Sequence, residues 1–346
     1  MNIPTLMTKI AALRGHPIPI SSHSAPFDAA DSTVVKADAA QQIRPPRRGI
    51  RTVRNVEFAR VAGPDGATIA LRMDVLVPAG EGRRPLVVYV PGGGFIHAVK
   101  AGGGTLRRHL AQAGYVVASV EYRTTKHGAT YVEGVSDVKA AVRHLRAHAA
   151  DFGIDPERIA LWGESAGGYL VSMAGVTPGD ARFESGGDAG QGSDVQAVVN
   201  KFGGSDLTLI AAGFDDATVA ANSGPHIPLA RWVLGAGGGV ALEDAPDAVR
   251  VADPATYASA GLPPFLHFHG SDDRIVSPVQ TAHLHAALRA AGADTTRYLI
   301  EGAGHGDLAV AGGEEKYWTT EPMLRIATDF LDRALSSSKG SPAPRP

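Results

Sequence analysis

The sequence predicts an α/β fold with a mostly parallel central sheet and helices on both faces. Two observations lead to this prediction. Short apolar segments such as Leu86–Val90 and Tyr115–Val120 are typical of strands that are buried on both faces. Segments with the apolar spacing of helices lie between them, and strands that alternate with helices form parallel sheets. The 346 residues are enough for one large domain or two small ones.

The predicted elements follow one another without a linker or an internal repeat. Two β-like stretches, Val53–Val61 and Thr68–Val77, flank a Pro-Asp-Gly turn at residues 64–66, so the sheet should begin with an antiparallel hairpin. The later predicted strands are Leu86–Val90, Tyr115–Val120, Ile159–Trp162, Ala197–Phe202, Pro264–His269 and Thr296–Ile300. The predicted helices are Leu106–Ala113, a helix capped by Ser136 that reaches Ala149, Pro278–Ala291 and Met323–Leu335.

The sequence predicts three regions along the chain. Residues 1–48 form an N-terminal arm that prolines and serines interrupt, and within it Ala29–Gln42 can form a short helix. Residues 49–335 form the globular domain, with a small cap-like insertion at about residues 204–262. Residues 336–346 form a low-complexity tail that we expect to be disordered.

The composition excludes several classes of function. The net charge of −2 gives no electrostatic reason to bind nucleic acid or an anionic membrane, and no apolar run approaches the roughly 18 residues of a transmembrane helix. Cysteine is absent, which excludes disulfides, thiolate catalysis and cysteine metal sites. The N-terminal residues lack the apolar core of a secretory signal, so we expect a cytoplasmic protein. The oligomeric state stays open, with a homodimer as one candidate.

The segment most informative about function is Gly163–Gly167, a G-x-S-x-G pentapeptide. It follows the predicted strand Ile159–Trp162 and precedes residues that can open a helix. This is the context of a nucleophile elbow, in which a sharp turn exposes the serine at the end of the sheet. In a chain with 42 glycines, the alternative is a glycine-rich turn that merely joins a strand to a helix. The context favours Ser165 as a nucleophile.

A serine nucleophile needs a base, and the base needs an orienting acid. After such an elbow the acid comes next along the chain and the histidine last. His305 follows the predicted strand Thr296–Ile300 after a short glycine-rich turn, and it is the candidate base. Asp272 and Asp273 follow another predicted strand and are the candidate acids, although either could simply cap the turn before the next helix.

Other histidines of the chain fit helix or loop patterns. His283 and His285 lie within the predicted helix that follows the candidate acids, and we expect both on the surface.

A second glycine-rich segment, Pro91–Phe95, follows the predicted strand Leu86–Val90. Attack on a carbonyl group builds negative charge on its oxygen, so backbone N–H donors must face that oxygen. We expect these donors to be Gly93 and Gly94, together with Ala166 after the serine. The alternative is an ordinary strand–helix turn. A nucleotide loop is disfavoured, because the spacing does not fit G-x-G-x-x-G and no G-K-[ST] follows.

Five residues near these motifs are predicted to line a substrate pocket. Phe95 and His97 follow the donor loop, Glu164 precedes the serine, and two residues lie in the insertion. The residues of the insertion are Phe214 and Trp232. The alternative is that the apolar side chains of the insertion only seat it on the core.

Together these motifs resemble the α/β-hydrolase esterases related to hormone-sensitive lipase and to bacterial feruloyl and carboxyl esterases. The resemblance covers about residues 55–335. The matching segments are Pro91–Phe95, Glu121–Arg123, Phe152–Gly168, His269–Val276 and Gly302–Asp307. It implies the α/β-hydrolase fold, Ser165 as nucleophile, His305 as base and acid, and Asp273 rather than Asp272 as the orienting acid.

One position departs from the family pattern. Many relatives have a histidine where this chain has Pro91, and proline fixes φ and lacks an N–H group. The donor loop must therefore be anchored in a different way.

The resemblance implies a serine hydrolase that cleaves a small-molecule carboxylic ester through an acyl-enzyme, without a metal or cofactor. Amidase, peptidase, thioesterase or acyltransferase chemistry on the same three residues stays open. A non-catalytic binding protein of the same fold is a further alternative, although such proteins usually lose one of the three residues.

Overall fold

The structure is a computed structural model, and it describes residues 18–336 except residues 47, 64, 65, 307, 309 and 311. The turn predicted at residues 64–66 and the tail predicted at residues 336–346 lie mostly outside the described residues. No helix in the described ranges is both long enough and apolar enough to cross a membrane.

A nine-stranded sheet forms the centre of the described part of the chain, in the order β1-β9-β8-β7-β6-β4-β5-β3-β2. The strands are β1 Thr33–Val35, β2 Ile50–Ala62, β3 Thr68–Pro78, β4 Arg84–Val90, β5 Val116–Val120, β6 Ile154–Glu164, β7 Ala197–Lys201, β8 Phe265–Gly270 and β9 Thr295–Ile300. The β2–β3 and β3–β5 pairs are antiparallel, and the other pairs are parallel. The prediction of a mostly parallel sheet that begins with an antiparallel hairpin is confirmed.

Helices cover both faces of the sheet. They are α1 Gly104–Gln112, α2 Tyr131–Ala147, α3 Ala149–Phe152, α4 Ala166–Val176, α5 Asp216–Ala221, α6 Pro228–Leu234, α7 Pro246–Ala252, α8 Val279–Ala290 and α9 Glu321–Ala334. Alternate residues of β4 enter opposite cores, because successive side chains of a strand point to opposite faces. Val88 packs in the core that α2, α4 and α8 cover, and Val87 packs in the core that α1 and α9 cover.

The N-terminal arm differs from the prediction. The short helix expected at Ala29–Gln42 is absent from these described residues: Thr33–Val35 is a strand, and only Ala39–Gln41 forms a single 3-10 turn. Thr33–Val35 pairs in parallel with β9, with Thr33 opposite Tyr298. The edge of β9 offers backbone hydrogen bonds to this β-branched segment, and that distant partner outweighs the local preference.

Helix α2 begins earlier than the cap predicted at Ser136. The N-cap is Thr130, and the Glu133 carboxylate accepts a hydrogen bond of 2.8 Å from the Thr130 N–H group in a capping box. Ser136 lies inside the helix, where its hydroxyl donates to the Val132 carbonyl at 2.8 Å. The T-x-x-E pattern at residues 130–133 was the sequence signal for this start.

The surface prediction for His285 is also wrong. Its ring is buried, with Nδ1 at 2.9 Å from Thr295 Oγ1 and Nε2 at 3.0 Å from the Asp31 carbonyl oxygen. The arm therefore covers this face of α8. His283 is partly exposed and lies 2.8 Å from an Asp253 carboxylate oxygen.

Residues 204–262 contain three short helices, α5, α6 and α7. Helix α6 packs on α2 through Trp232, and the Tyr169 hydroxyl of α4 donates to the Ala252 carbonyl of α7 at 2.6 Å. Trp232 of α6 is fully buried. A Cβ atom at Gly134 of α2 would lie 2.4 Å from the Trp232 ring, so this contact requires a glycine. The arm holds the same region from outside, because the Ser21 and Ser22 hydroxyls donate to Asp215 at 3.0 and 2.9 Å.

Candidate active site

Ser165 lies between β6 and α4 with φ 55° and ψ −122°, in a region of backbone space that is strained for a residue with a side chain. The flanking glycines make this turn possible. A Cβ atom at Gly163 would lie 2.1 Å from the Gly167 carbonyl oxygen, and one at Gly167 would lie 2.1 Å from the Val90 carbonyl oxygen. The pentapeptide is therefore a tight strand–turn–helix junction that presents the serine at the carboxyl end of the sheet.

The structure brings Ser165, His305 and Asp273 into one hydrogen-bonded chain. Ser165 Oγ lies 2.8 Å from His305 Nε2, and His305 Nδ1 lies 2.7 Å from Asp273 Oδ2. Both histidine and aspartate are buried. The Asp273 carboxylate accepts from Nδ1–H, which leaves Nε2 free to accept the serine proton.

The carboxylate of Asp273 is held from a second side. Its Oδ1 accepts from the N–H groups of Ile275 and Val276, both at 2.9 Å. Nε2 of the buried His269 lies 3.3 Å from Oδ2 and 3.0 Å from the Val276 carbonyl oxygen. Burial alone would raise the pKa of Asp273, but the interactions with His305 and His269 outweigh it and hold this pKa below its usual range. Asp272, the alternative acid, is exposed to solvent.

Aromatic residues and one cation surround the His305 loop. The His305 ring packs on Phe202 with 4.6 Å between centroids, and Trp318 Nε1 donates to the Gly304 carbonyl at 2.9 Å. The buried ammonium group of Lys201 lies 4.5 Å from the centroid of the Trp318 ring.

Glu164, the residue before the serine, forms an ion pair with Lys201. Its carboxylate lies 3.0 Å from Lys201 Nζ, and its side chain is mostly buried. The Glu164–Lys201 pair ties the strand before the serine to β7.

The glycine-rich segment 91–97 lies against the serine. Gly93 has φ 153° and Gly94 has φ 60°. A Cβ atom at Gly92 would lie 2.9 Å from Ser165 Cβ, so the loop approaches the serine with bare backbone. The N–H groups of Gly93 and Gly94 donate to none of the described residues. The N–H of Ala166, at the first position of α4, is among those that a helix leaves without an internal acceptor.

The side chain of Pro91 cannot form a hydrogen bond that would hold the donor loop in place, but Tyr122 holds the loop instead. Its buried hydroxyl donates to the Pro91 carbonyl at 3.0 Å and lies 3.4 Å from the His97 carbonyl oxygen. Thr124 and Thr125 add hydroxyl donors to the carbonyls of Ile96 and Phe95, each at 3.0 Å. The departure at Pro91 is thus accompanied by a row of side-chain anchors from the segment after β5.

The predicted pocket residues differ in their surroundings. Phe95 stacks on Trp232 with 4.7 Å between centroids and meets the edge of Tyr169 at 5.4 Å. Phe95, Trp232 and Phe214 are all buried, so their packing seats the insertion on the core. His97 is partly buried, with its ring 3.1 Å from Lys126 Nζ.

Sequence reasoning missed three residues that support the site: Tyr122, His269 and Lys201. Tyr122 and His269 stand inside the motifs Glu121–Arg123 and His269–Val276, so the motifs were the available signal. In the described ranges, the side chains around Ser165 include no group of three that could hold a metal ion.

The parallel sheet, the strained serine turn and the histidine loop after β9 define the protein as an α/β-hydrolase. The chain matches the BD-FAE family over residues 73–288 and belongs to that family.

Several curated relatives are named as esterases. The chain is 32% identical to Esterase LipC of Mycobacterium tuberculosis over 224 residues, which cover 64% of this chain and 53% of that protein. It is 29% identical to isoprenylcysteine alpha-carbonyl methylesterase ICME of Arabidopsis thaliana over 239 residues, which cover 68% of this chain and 54% of that protein. The chain therefore spans about half the length of these relatives.

Solved structures support the same fold. A truncated carbohydrate esterase from gut microbiota superposes with a TM-score of 0.68 at 24% identity, over 84% of this chain and 99% of that one. Esterase 2 of Thermogutta terrifontis superposes with a TM-score of 0.60 at 24% identity, over 88% of this chain and 100% of that one.

Proposed function

We propose that the protein is a carboxylic ester hydrolase that works through an acyl-enzyme on Ser165. The observation that carries the proposal is the hydrogen-bonded chain Asp273–His305–Ser165, with distances of 2.7 and 2.8 Å, behind a serine in a strained turn. The names of the relatives, all esterases or ester hydrolases, agree with this chemistry.

The first half-reaction transfers the acyl group to the enzyme. His305 Nε2 takes the proton of Ser165 Oγ as the oxygen attacks the ester carbonyl carbon, and Asp273 stabilises the imidazolium ion that forms. The carbonyl oxygen becomes an oxyanion. When this tetrahedral intermediate collapses, His305 gives the proton to the departing alcohol, and the acyl group stays on Ser165.

The second half-reaction repeats these steps with water. His305 removes a proton from a water molecule, the hydroxide oxygen attacks the acyl carbon, and the proton returns to Ser165 as the acid leaves. No metal or cofactor takes part in this sequence of proton transfers.

The proposed oxyanion donors are the N–H groups of Gly93, Gly94 and Ala166. The first two are free of protein acceptors among the described residues, and the third is at the N-terminus of α4. Fixed donors of this kind stabilise the developing charge without reorganisation during the reaction.

We further propose that residues 204–262 form a cap over the acyl or alcohol group of a small-molecule ester. The stack of Trp232 on Phe95 supports this proposal, because it joins the insertion directly to the loop that carries the oxyanion donors. The cytoplasmic location stays a prediction, and the sequence leaves the oligomeric state and the role of residues 1–48 open.

The test is hydrolysis of p-nitrophenyl esters of increasing acyl length by the wild type and by Ser165→Ala. We expect kcat to fall by several orders of magnitude, because the variant has no nucleophile. The exposed Ser336→Ala, outside the proposed cap, serves as the control and should keep wild-type turnover. Unchanged turnover in Ser165→Ala would contradict the proposal.

A further inference from the structure

A cluster of metal-ligating side chains lies outside the site described above. His144 near the end of α2, His148 between α2 and α3, and Asp188 in the connection before β7 bring one ligand atom each within 4.8 Å of one another. We propose that these three residues bind a divalent transition-metal ion of the zinc type.

The distances in the cluster are close to those of a coordination shell. His144 Nδ1 lies 3.0 Å from Asp188 Oδ2, and the rings of His144 and His148 have centroids 4.3 Å apart. Ligand atoms at about 2.0–2.2 Å from a tetrahedral zinc ion are themselves about 3.3 Å apart. The side chain of His148 is 46% exposed, so it can rotate to close the remaining gap without disturbing the core.

The segment that carries Asp188 is fixed to α2 on both sides of that residue. Arg143 donates to the carbonyls of Ser185 and Gly187 on one side. Arg146 donates to the carbonyls of Gly192 and Asp194 on the other. The carboxylate is therefore held over α2 by contacts that do not depend on the ion.

Asp188 also adopts an unusual backbone conformation, with φ 55°. Aspartate and asparagine tolerate this left-handed region better than most residues. An aspartate at position 188 therefore tolerates the left-handed backbone and also provides the carboxylate ligand.

The donor set selects the class of metal. Two imidazoles and one carboxylate suit zinc, copper or nickel, whereas magnesium and calcium prefer oxygen ligands alone. Three protein ligands leave a position for water.

The cluster is far from Ser165. Helix α2 runs antiparallel to the strands, so its C-terminal end lies at the amino ends of β4 and β6, whereas Ser165 follows the carboxyl end of β6. The seven residues of β4 pair along β6 from Ile154 to Gly163, so the two ends of this part of the sheet are roughly 20 Å apart. The ion would tie the connection around Asp188 to α2, and would not take part in ester hydrolysis.

The test is titration of tag-free, chelator-treated protein with zinc chloride by isothermal calorimetry. We expect one ion per chain for the wild type, and at least about tenfold weaker binding for His148→Ala and for Asp188→Asn. The asparagine variant keeps the left-handed turn while removing the charged ligand. The exposed His226→Ala is the matched control and should bind like the wild type. Equal zinc affinity in His148→Ala and the wild type, or no saturable binding, would overturn the proposal.

A second measurement does not depend on calorimetry. Zinc should raise the Tm of the wild type in a concentration-dependent way, because a ligand that binds only the native state stabilises it. The same addition should leave the Tm of His148→Ala nearly unchanged; an equal shift in both proteins would also contradict the site. Neither measurement uses esterase activity, so the results do not depend on the assignment of Ser165 as the nucleophile.

Discussion

The hydrogen-bond donors around Asp273 indicate the role of this carboxylate. Its two oxygens accept from His305, His269 and two backbone N–H groups, while the neighbouring Asp272 faces solvent. A buried carboxylate with this many donors stays ionised at neutral pH. It is therefore suited to fix the tautomer of His305 and to balance the charge that the ring gains during the reaction.

The two aspartates give a matched pair of variants. We expect Asp273→Asn to lower kcat by roughly 10⁴-fold, because an amide disfavours the required tautomer of His305. Asp272→Asn should stay within about twofold of the wild type, since its side chain is exposed and outside the hydrogen-bonded chain. Steady-state kinetics on p-nitrophenyl acetate measures both. A larger loss in Asp272→Asn would reverse the assignment of the acid.

The donor loop 91–97 begins with Pro91, the position at which the sequence departs from the pattern of the family that it resembles. Its shape depends on hydroxyl groups of Tyr122, Thr124 and Thr125 that reach its carbonyl oxygens. The loop is thus positioned by neighbours from the segment after β5. These hydroxyl groups fix the carbonyls of residues that flank the N–H groups that we assign to the oxyanion.

Removal of the Tyr122 hydroxyl, which holds the donor loop, should change kcat more than KM. We expect Tyr122→Phe to lower kcat by about tenfold with a smaller change in KM, because the oxyanion donors act mainly in the transition state. The control is Tyr115→Phe, which removes a buried hydroxyl that donates to Asp332 at the other end of β5. It should lower stability but not kcat. Equal kcat in Tyr122→Phe and the wild type would contradict this prediction, and would show that Thr124 and Thr125 alone position the donor loop.

The elements that the sequence predicted best were those with a strong local signal. The run Leu86–Val90 became β4 with two further residues. The motif around Ser165 and the position of His305 after a late strand led to two residues that lie 2.8 Å apart in the structure. The strand Thr33–Val35 was missed, because three β-branched residues become a strand only beside β9. His269, the second histidine beside Asp273, was also missed, because its contacts form only when the loop after β8 is folded.

At the scale of the whole molecule, burial keeps several histidines neutral. Desolvation lowers the pKa of His267 well below its usual value, and its ring has no hydrogen-bond partner among the described residues. Burial is also the main cause that lowers the pKa of five further histidines: His109, His127, His144, His269 and His285. The native protein therefore binds fewer protons than the unfolded chain in mild acid.

The sign of the pH dependence follows from this difference. Below about pH 6.5 the unfolded chain binds a proton at His267 that the native state does not, so the free energy of unfolding falls as the pH drops. The contribution of His267 approaches about 1.4 kcal/mol per pH unit well below pH 6.5, where the unfolded imidazole is fully protonated. Because the unfolded imidazole is only half protonated at pH 6.5, we expect His267→Leu to reduce the slope between pH 6.5 and 5.5 by about 1 kcal/mol per pH unit, measured by urea denaturation. An unchanged slope in His267→Leu would refute the explanation.

The pairing of β1 with β9 also bears on how the chain matures during synthesis. Thr33 leaves the ribosome early, but its partner Tyr298 is made only after nearly all of the sheet. At roughly 5–20 residues per second, the wait lasts on the order of tens of seconds. During that time the first strand has no edge to join, because β9 and the helix α8 that the arm contacts are made last. We therefore expect the arm to dock late, and to be accessible to proteases and chaperones until β9 is made.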